Sequence, residues 1–319
     1  MSNSLIKVYK VKSFAHTPFN NDEDLQYLLK KGIILTENIY DADVLISQNL
    51  KHLKKYFWKF YNSKKYLVWT LEPRFDINFN SSKKFFFGLI NCHFMNVYTK
   101  DVFTSNLTYT AHIVNKKLEN VSKDYSINNR KIIALMSYYK GVRTPKLIKD
   151  GRDIDLIKLR SEIALKGFAM GIVDVIGKGW PIGISNEDSR DGNWFDRKKN
   201  LLKPYFFNLC FENTIAKNYM TEKIWDSIEN YCLPIYYGKG STAYELFPKD
   251  SFIDYSMFNN PSELFDFIYN ISDEEYIDRI NKCINIYNSI SNNGDNFVKN
   301  ERKKALDKIV DKLNLIINN

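Results

Sequence analysis

Glu222 and Lys223 stand side by side behind Thr221, and the apolar run Tyr205 to Phe211 before them ends in Glu212-Asn213. The run reads as a strand and Thr221 as the N-cap of the next helix. Glu222 and Lys223 then fall in a first helical turn, beside the C-terminal edge of a strand, where α/β sheets place their ligand crevice. Such a turn presents free N–H groups and a partial positive charge. It suits a phosphate, and Lys223 adds a formal charge there. Glu222 is suited to accept hydrogen bonds from a ribose diol. A cation and a diol acceptor at adjacent positions fit a nucleoside diphosphate. For the tripeptide alone, an ordinary solvated helix start is the plainer reading; the order of the flanking pieces changes that. Leu233-Pro-Ile-Tyr-Tyr-Gly238 follows at one helix length, and Ser251-Phe-Ile-Asp254 comes after a Pro-containing loop.

The elements that position these residues follow from periodicity. The chain has 319 residues, about two domains' worth, with 44% apolar and 26% charged residues, which excludes wholesale disorder. Ile6 to Val11, Asp43 to Ile46 and Tyr66 to Thr70 read as strands, and Asn21 to Leu29 and Leu50 to Tyr61 as helices. The polar stretch Glu119 to Arg130 has no period and reads as a linker. The pattern then restarts: strands at Ile132 to Met136, Gly171 to Ile176, Tyr205 to Phe211 and Cys232 to Tyr237, and helices at Ile154 to Phe168 and Thr221 to Asn230. This predicts two α/β domains, residues 1–125 and 130–295, with a basic cleft expected between them. A C-terminal amphipathic helix, 296–319, carries Leu306, Ile309, Val310, Leu313 and Ile317 on one face. That helix either packs on a domain or lies on a membrane surface. Asn260-Pro-Ser-Glu263 is a helix start.

Lys+Arg outnumber Asp+Glu by 46 to 37, a net charge of +9 that favours acidic partners. The basic residues are dispersed and carry no RNA-recognition or helix-turn-helix signature, so nucleic acid is not expected as a partner. No apolar run reaches the ~18 residues of a membrane span, and no signal peptide is visible. Cys92, Cys210, Cys232 and Cys283 lack metal or redox spacing and read as buried thiols. The four histidines lack ligand spacing. Gly177-Lys-Gly179 is a weak phosphate-loop signal, Asp41-Ala-Asp43 lies before a strand where a solvated loop is expected, and Asp153-Ile-Asp155 sits in an inserted basic stretch.

Phe211-Glu-Asn213, Tyr219-Met-Thr-Glu-Lys223, Leu233 to Gly238 and Ser251 to Asp254, in this order, resemble the donor-binding block of the alpha-1,3/4-fucosyltransferases, glycosyltransferase family ten. The close match covers about Tyr205 to Phe258; before Ile132 it rests on Trp69-Thr-Leu-Glu-Pro73. The resemblance implies a GT-B fold, two Rossmann-like domains facing across a cleft, the second binding GDP-fucose and the first mostly a glycan acceptor. It implies Asn213, Tyr219, Glu222 and Lys223 as donor contacts, with Glu222 on the ribose and Lys223 on the diphosphate. Arg160 is similar to the family's phosphate-pairing arginine, with Arg152 as its rival. The family inverts the anomeric centre, which needs a base on the acceptor. Glu72, a carboxylate at a strand end, is the candidate, ahead of Asp76, His93 and Asp101. No cofactor is required in this reading, no metal ligand is assigned, and Mn²⁺ stimulation is compatible with it. The implied product is an alpha-1,3 fucoside on GlcNAc or Glc of a surface oligosaccharide or lipopolysaccharide. The implied location is cytoplasmic, peripheral at the inner membrane face through the C-terminal helix. Competing readings are another GDP-sugar donor, a non-catalytic glycan-binding protein and a nucleic-acid-binding module.

Overall fold

The computed structural model describes residues 5–12, 18–61, 63–70, 82–96, 116–138, 147–185, 187–188 and 191–319. The chain divides into two units, one of residues 1–111, 216–218 and 295–319, the other of residues 112–215 and 219–294.

The N-terminal unit is built on β1 (Ile6–Lys10), β2 (Ile33–Leu35), β3 (Val44–Ser47), β4 (Lys65–Thr70), β5 (Ser82–Phe85) and β6 (Ile90–Asn96), with helices α1 (Asp22–Lys30) and α2 (Leu50–Lys54). The sheet order is β2-β1-β3-β4-β6-β5, parallel except for the β5–β6 hairpin. All of β3, and β4 from Tyr66 to Thr70, are buried, as central strands of a sheet covered on both faces should be. Asn21 caps α1 by accepting from the Asp24 N–H, behind three acidic residues in the first turn. The predicted helix from Leu50 to Tyr61 stops at Lys54; Tyr56, Phe57 and Phe60 continue in turns that tuck their rings against β4.

The C-terminal unit contains β7 (Ile132–Leu135), β8 (Ile148–Lys149), β9 (Arg152–Asp153), α3 (Ile157–Ala169), β10 (Val173–Ile176), α4 (Trp194–Leu202), β11 (Phe207–Leu209), α5 (Glu222–Glu229), β12 (Leu233–Tyr236), α6 (Ala243–Leu246), β13 (Ile253–Asp254), α7 (Pro261–Asn270) and α8 (Asp273–Ser291). Its main sheet, β10-β7-β11-β12-β13, is wholly parallel. Both sheets therefore run second strand, first, third, fourth. In such a sheet the crossovers from the first strand diverge, and the carboxyl ends of β7 and β11 frame a crevice. Fold class is as expected: α/β, with two parallel sheets in tandem. Asn260 caps α7 by accepting from the Ser262 and Glu263 N–H groups.

Three expectations change. The stretch Glu119 to Arg130 is irregular but not a free linker. Val121 and Ile127 are buried, and Asn281, Asn288 and Asp273 of α8 hydrogen-bond the backbone at Val121, Leu118 and Ile127. Helix α8 went unread because seven Asn, Asp or Glu residues obscure its apolar stripe: Tyr276, Ile280, Cys283, Ile284 and Tyr287 are fully buried. The last helix, α9 (Gly294–Asn318), is not an independent tail. Residues 295–319 belong to the N-terminal unit, where Leu306, Ile309, Leu313 and Ile316 are buried. Arg302 pairs with Asp24 of α1, and Tyr27 donates to Asp307 at 2.6 Å. The apolar face that the sequence offered to a membrane is spent on this packing; Ile317 alone of the predicted stripe stays exposed. No described helix is long and apolar enough to cross a membrane.

Candidate active site

Strand β11 is buried throughout, and the chain leaves it through Cys210 and Phe211 into Glu212. The Glu212 side chain is almost wholly buried, at 1% exposure. It would be costly there without partners, and it has three. The Thr221 N–H donates to it at 2.6 Å, the Thr221 hydroxyl at 2.8 and 2.9 Å to its two oxygens, and Lys223 Nζ at 2.8 Å. Lys223 Nζ also donates to Thr221 Oγ1 at 2.7 Å. Thr221 does occupy the N-cap position of α5, but its hydroxyl serves Glu212 instead of the helix's own N–H groups. Burial raises the Glu212 carboxyl above its ordinary range despite Lys223, and Glu212 and Glu222 together keep the Lys223 ammonium strongly protonated against the effect of burial.

Glu222 lies on the other side of the lysine, 4.0 Å from Lys223 Nζ and 3.5 Å from Lys198 Nζ. Burial opposes its ionisation, but the two lysines outweigh that and hold its pKa at about 2. Lys198, on α4, also donates to Asp226 at 2.7 Å. Burial raises Asp226 to about 6. Sequence reading missed Glu212, Lys198 and Asp226 as members of this cluster. Asp226 sits one turn after Glu222 and was findable by helical spacing; Lys198 is 24 residues away and carries no local signal.

Arg160, in the first turn of α3, is buried, and Nη1 donates to the Phe211 carbonyl at 3.0 Å. It therefore sits at the same strand exit as Glu212, and its charge acts on Lys223. Arg152, on β9, is turned to another loop: it donates to the Lys239 carbonyl at 3.0 Å and to the Tyr237 hydroxyl at 3.1 Å. Asn213 is half-buried, and its carbonyl accepts from the Leu156 N–H at 3.1 Å. Tyr219 is buried at 3% exposure. The structure thus gathers Arg160, Glu222 and Lys223 at the exit of β11, flanked in sequence by Asn213 and Tyr219. Glu72, Asp76 and Asp101 lie outside the described residues.

The weaker motifs have structural explanations. Gly177 and Gly179 both have positive φ, and a Cβ there would come within 2.1 Å of the Met136 carbonyl oxygen and 2.8 Å of that of Tyr138. The two glycines let this loop cross the exit of β7, where Tyr138 N–H bonds the Lys178 carbonyl. Asp155 accepts from the Ile157 N–H at 2.8 Å and Asp153 from the Asp155 N–H at 3.1 Å, which starts α3. Asp43 accepts from the Lys7 N–H at 2.7 Å. Among the described residues no group of three His, Cys, Asp or Glu is placed to hold a metal ion. All four cysteines are free and buried.

A parallel sheet whose switch-point strand ends in a buried, ion-paired carboxylate, with cations at the mouth of the next helix, defines an α/β protein with a densely charged strand exit. Residues 172–279 match the family model for glycosyltransferase family 10 (fucosyltransferase), C-terminal part. The match spans β10 to α8 and contains the whole Glu212–Lys223 cluster. Among similar proteins, alpha-(1,3)-fucosyltransferase FucT of Helicobacter pylori is 45% identical over 71 residues, 22% of this chain and 15% of that protein. GDP-fucose protein O-fucosyltransferase 3 of Bos taurus is 39% identical over 88 residues, 28% of this chain and 18% of that protein. An alpha-(1,4)-fucosyltransferase of Arabidopsis thaliana is 31% identical over 88 residues, 28% of this chain and 22% of that protein. The matches span less than a quarter of these relatives' lengths. A crystal structure of an alpha1,3-fucosyltransferase is similar over 91% of this chain and 90% of its own, with a TM-score of 0.49 and 19% identity.

Proposed function

We propose that this protein is an inverting fucosyltransferase that moves L-fucose from GDP-fucose to a hydroxyl of a glycan acceptor. The observation that carries the reading is the family match over residues 172–279, which contains the Lys223–Glu212 ion pair and Glu222 at the start of α5. The relatives' names share a GDP-fucose or fucosyl theme and differ in acceptor and linkage, among them alpha-1,3, alpha-1,4 and protein O-linked. A common donor site with divergent acceptor specificity explains that pattern.

In this reading Lys223 binds the diphosphate of the donor, Glu222 accepts from the ribose hydroxyls, Arg160 adds charge at the strand exit, and Asn213 and Tyr219 complete the donor pocket. The acceptor oxygen attacks the anomeric carbon as the carbon–oxygen bond to the β-phosphate breaks. The acceptor's proton goes to a carboxylate, assigned to Glu72, and the leaving charge goes to GDP. Preorganised cations at that place act where charge develops, in a partly dry environment where they are strongest. We assign alpha-1,3 linkage to GlcNAc or Glc of a surface oligosaccharide or lipopolysaccharide as the preferred product. Turnover of GDP-fucose with lactose, N-acetyllactosamine and GlcNAc, followed by product mass and linkage analysis, tests the donor and acceptor together. Glu72→Gln should retain GDP affinity and lose transfer; retained transfer removes Glu72 from the mechanism. GDP-mannose in parallel separates fucose from another GDP-sugar. Adding Mn²⁺ or EDTA to the assay measures whether a divalent cation adds to the effect of Lys223 and Arg160.

A further inference from the structure

The N-terminal unit carries a surface unlike the rest of the molecule. Trp58, Tyr61, Phe86, Phe87 and Leu89 are exposed, at 62%, 41%, 38%, 108% and 51%. They come from two segments that touch: the Trp58 and Phe86 rings lie 4.3 Å apart, and Phe57 beneath them packs on Phe85 at 5.4 Å. Leu53, Phe57 and Phe60 form the buried layer under the patch. Scattered apolar residues on a surface are ordinary; here Trp58 and Phe86 touch, and Phe87 and Leu89 stand in the same turn as Phe86.

Lysines surround the patch. Lys51, Lys54, Lys55 and Lys59 on one segment and Lys83 and Lys84 on the other are all exposed. Several stand over the neighbouring rings that support it: Lys55 is 4.7 Å from the Tyr56 ring centre, Lys59 5.4 Å from Phe60, and Lys54 5.5 Å from Phe85. No Asp or Glu occurs between Asp43 and Glu72, or between Asp76 and Asp101. The nearest preceding carboxylates are engaged locally, Asp43 by the Lys7 N–H at 2.7 Å and Asp41 by Asn38 Nδ2 at 3.0 Å.

The backbone adds a second, independent sign. The β5–β6 turn places Phe86 at φ 52° and Phe87 at φ 57°. Two consecutive left-handed phenylalanines occupy a turn where Asn and Gly would sit without strain. Strain at an exposed tip is not repaid by packing of Phe87, which is fully exposed.

We infer that this face docks on an anionic lipid surface, the Phe86-Phe87-Gly-Leu89 tip and Trp58 entering the interfacial region and the lysines meeting the headgroups. Aromatic rings with a polar surround settle at the headgroup level of a bilayer, and clustered lysines are drawn to anionic leaflets. An acidic polymer would account for the lysines but leaves the apolar tip in water, so the lipid surface is favoured. Membrane contact then belongs to this face, not to α9, whose apolar side is buried. The inference does not depend on the donor or acceptor of the reaction.

The test is co-sedimentation of the full chain with phosphatidylcholine vesicles, with or without phosphatidylglycerol. Anionic vesicles should be bound, neutral ones weakly, and salt should reduce the binding. Phe87→Asn should keep or raise the melting temperature, since Asn tolerates the left-handed turn, yet cut partition to anionic vesicles about tenfold. Lys55→Glu/Lys84→Glu should cut it as well, whereas Lys303→Glu/Lys308→Glu on α9 should leave most of it. Equal binding to both vesicle types, equal binding by Phe87→Asn, or loss only in the α9 variant would overturn the assignment. So would binding to an oligonucleotide or polyphosphate that matches the vesicle affinity and ignores Phe87.

Discussion

In the C-terminal unit, the strand beyond the switch point ends by delivering a buried carboxylate, Glu212, to Thr221 and Lys223, and three further charged groups, Glu222, Lys198 and Asp226, extend the network. In the N-terminal unit, built on the same strand order, the buried ionisable groups do different work. Asp24 and Arg302 tie α1 to α9, and His93 on β6 is buried with Lys312 and Lys65 acting on it. The strand order alone therefore does not gather such a network. What distinguishes the C-terminal unit is a set of charges gathered at a strand exit and balanced against each other, with Lys223 held in place by Glu212.

The largest test of that contrast is Lys223→Met. Transfer should fall by roughly 10²–10³-fold in a GDP-fucose assay. Stability should fall by about 3 kcal/mol in urea unfolding, because the buried Glu212 loses its counter-charge and keeps only the Thr221 donors. Glu212→Gln/Lys223→Met should recover much of the stability and none of the transfer. Recovery of transfer would show that the pair serves packing alone.

The second test is on the other unit. Leu313→Ala on α9 should cost about 2–5 kcal/mol, while GDP affinity measured by calorimetry stays as in the parent. A parallel loss of GDP affinity would mean that the two units do not divide the work as described.

The third uses pH. Glu222 has its pKa lowered from 4.5 to about 2, so its contribution is present above pH 4.5 and is lost as pH falls toward 2. At neutral pH Glu222→Gln should cost up to roughly 3 kcal/mol, a penalty that disappears at the acid end. His93, chiefly through burial, is lowered from 6.5 to about 4. Its neutral form is favoured in the fold, so stability from this site is present above pH 6.5 and is lost as pH falls to 4. His93→Asn should flatten the stability profile between those values and leave the Glu222 window untouched.

The smallest effect is expected from Lys198→Met. It removes one of the two cations beside Glu222, and GDP affinity should drop about tenfold, by about 1.4 kcal/mol, without loss of fold. An unchanged affinity would confine Lys198 to pairing with Asp226.

Much of the C-terminal unit was legible because its chemistry is local. An apolar run ending at Phe211, a capping-type residue at Thr221 and a helix-length gap to Leu233 place Glu222 and Lys223 without reference to distant residues. The identity of their partners was not legible. Thr221 looked like an ordinary cap, and only the packed chain turns its hydroxyl to Glu212. Glu72 could be proposed from its place after Trp69 at a strand end, but it lies beyond the described residues. The β5–β6 hairpin was not read at all: its only turn-type residue, Gly88, follows three phenylalanines, and the turn starts at Phe86.

By itself, the sequence determined the alternation of strands and helices, the parallel α/β class and the order of motifs around Lys223, since periodicity and capping act over a few residues. Only the tertiary structure decided which charges meet, where α9 packs and which aromatics stay outside. Those outcomes depend on surfaces brought together from positions as far apart as Asp24 and Arg302, and on the cost of leaving a buried charge without a partner.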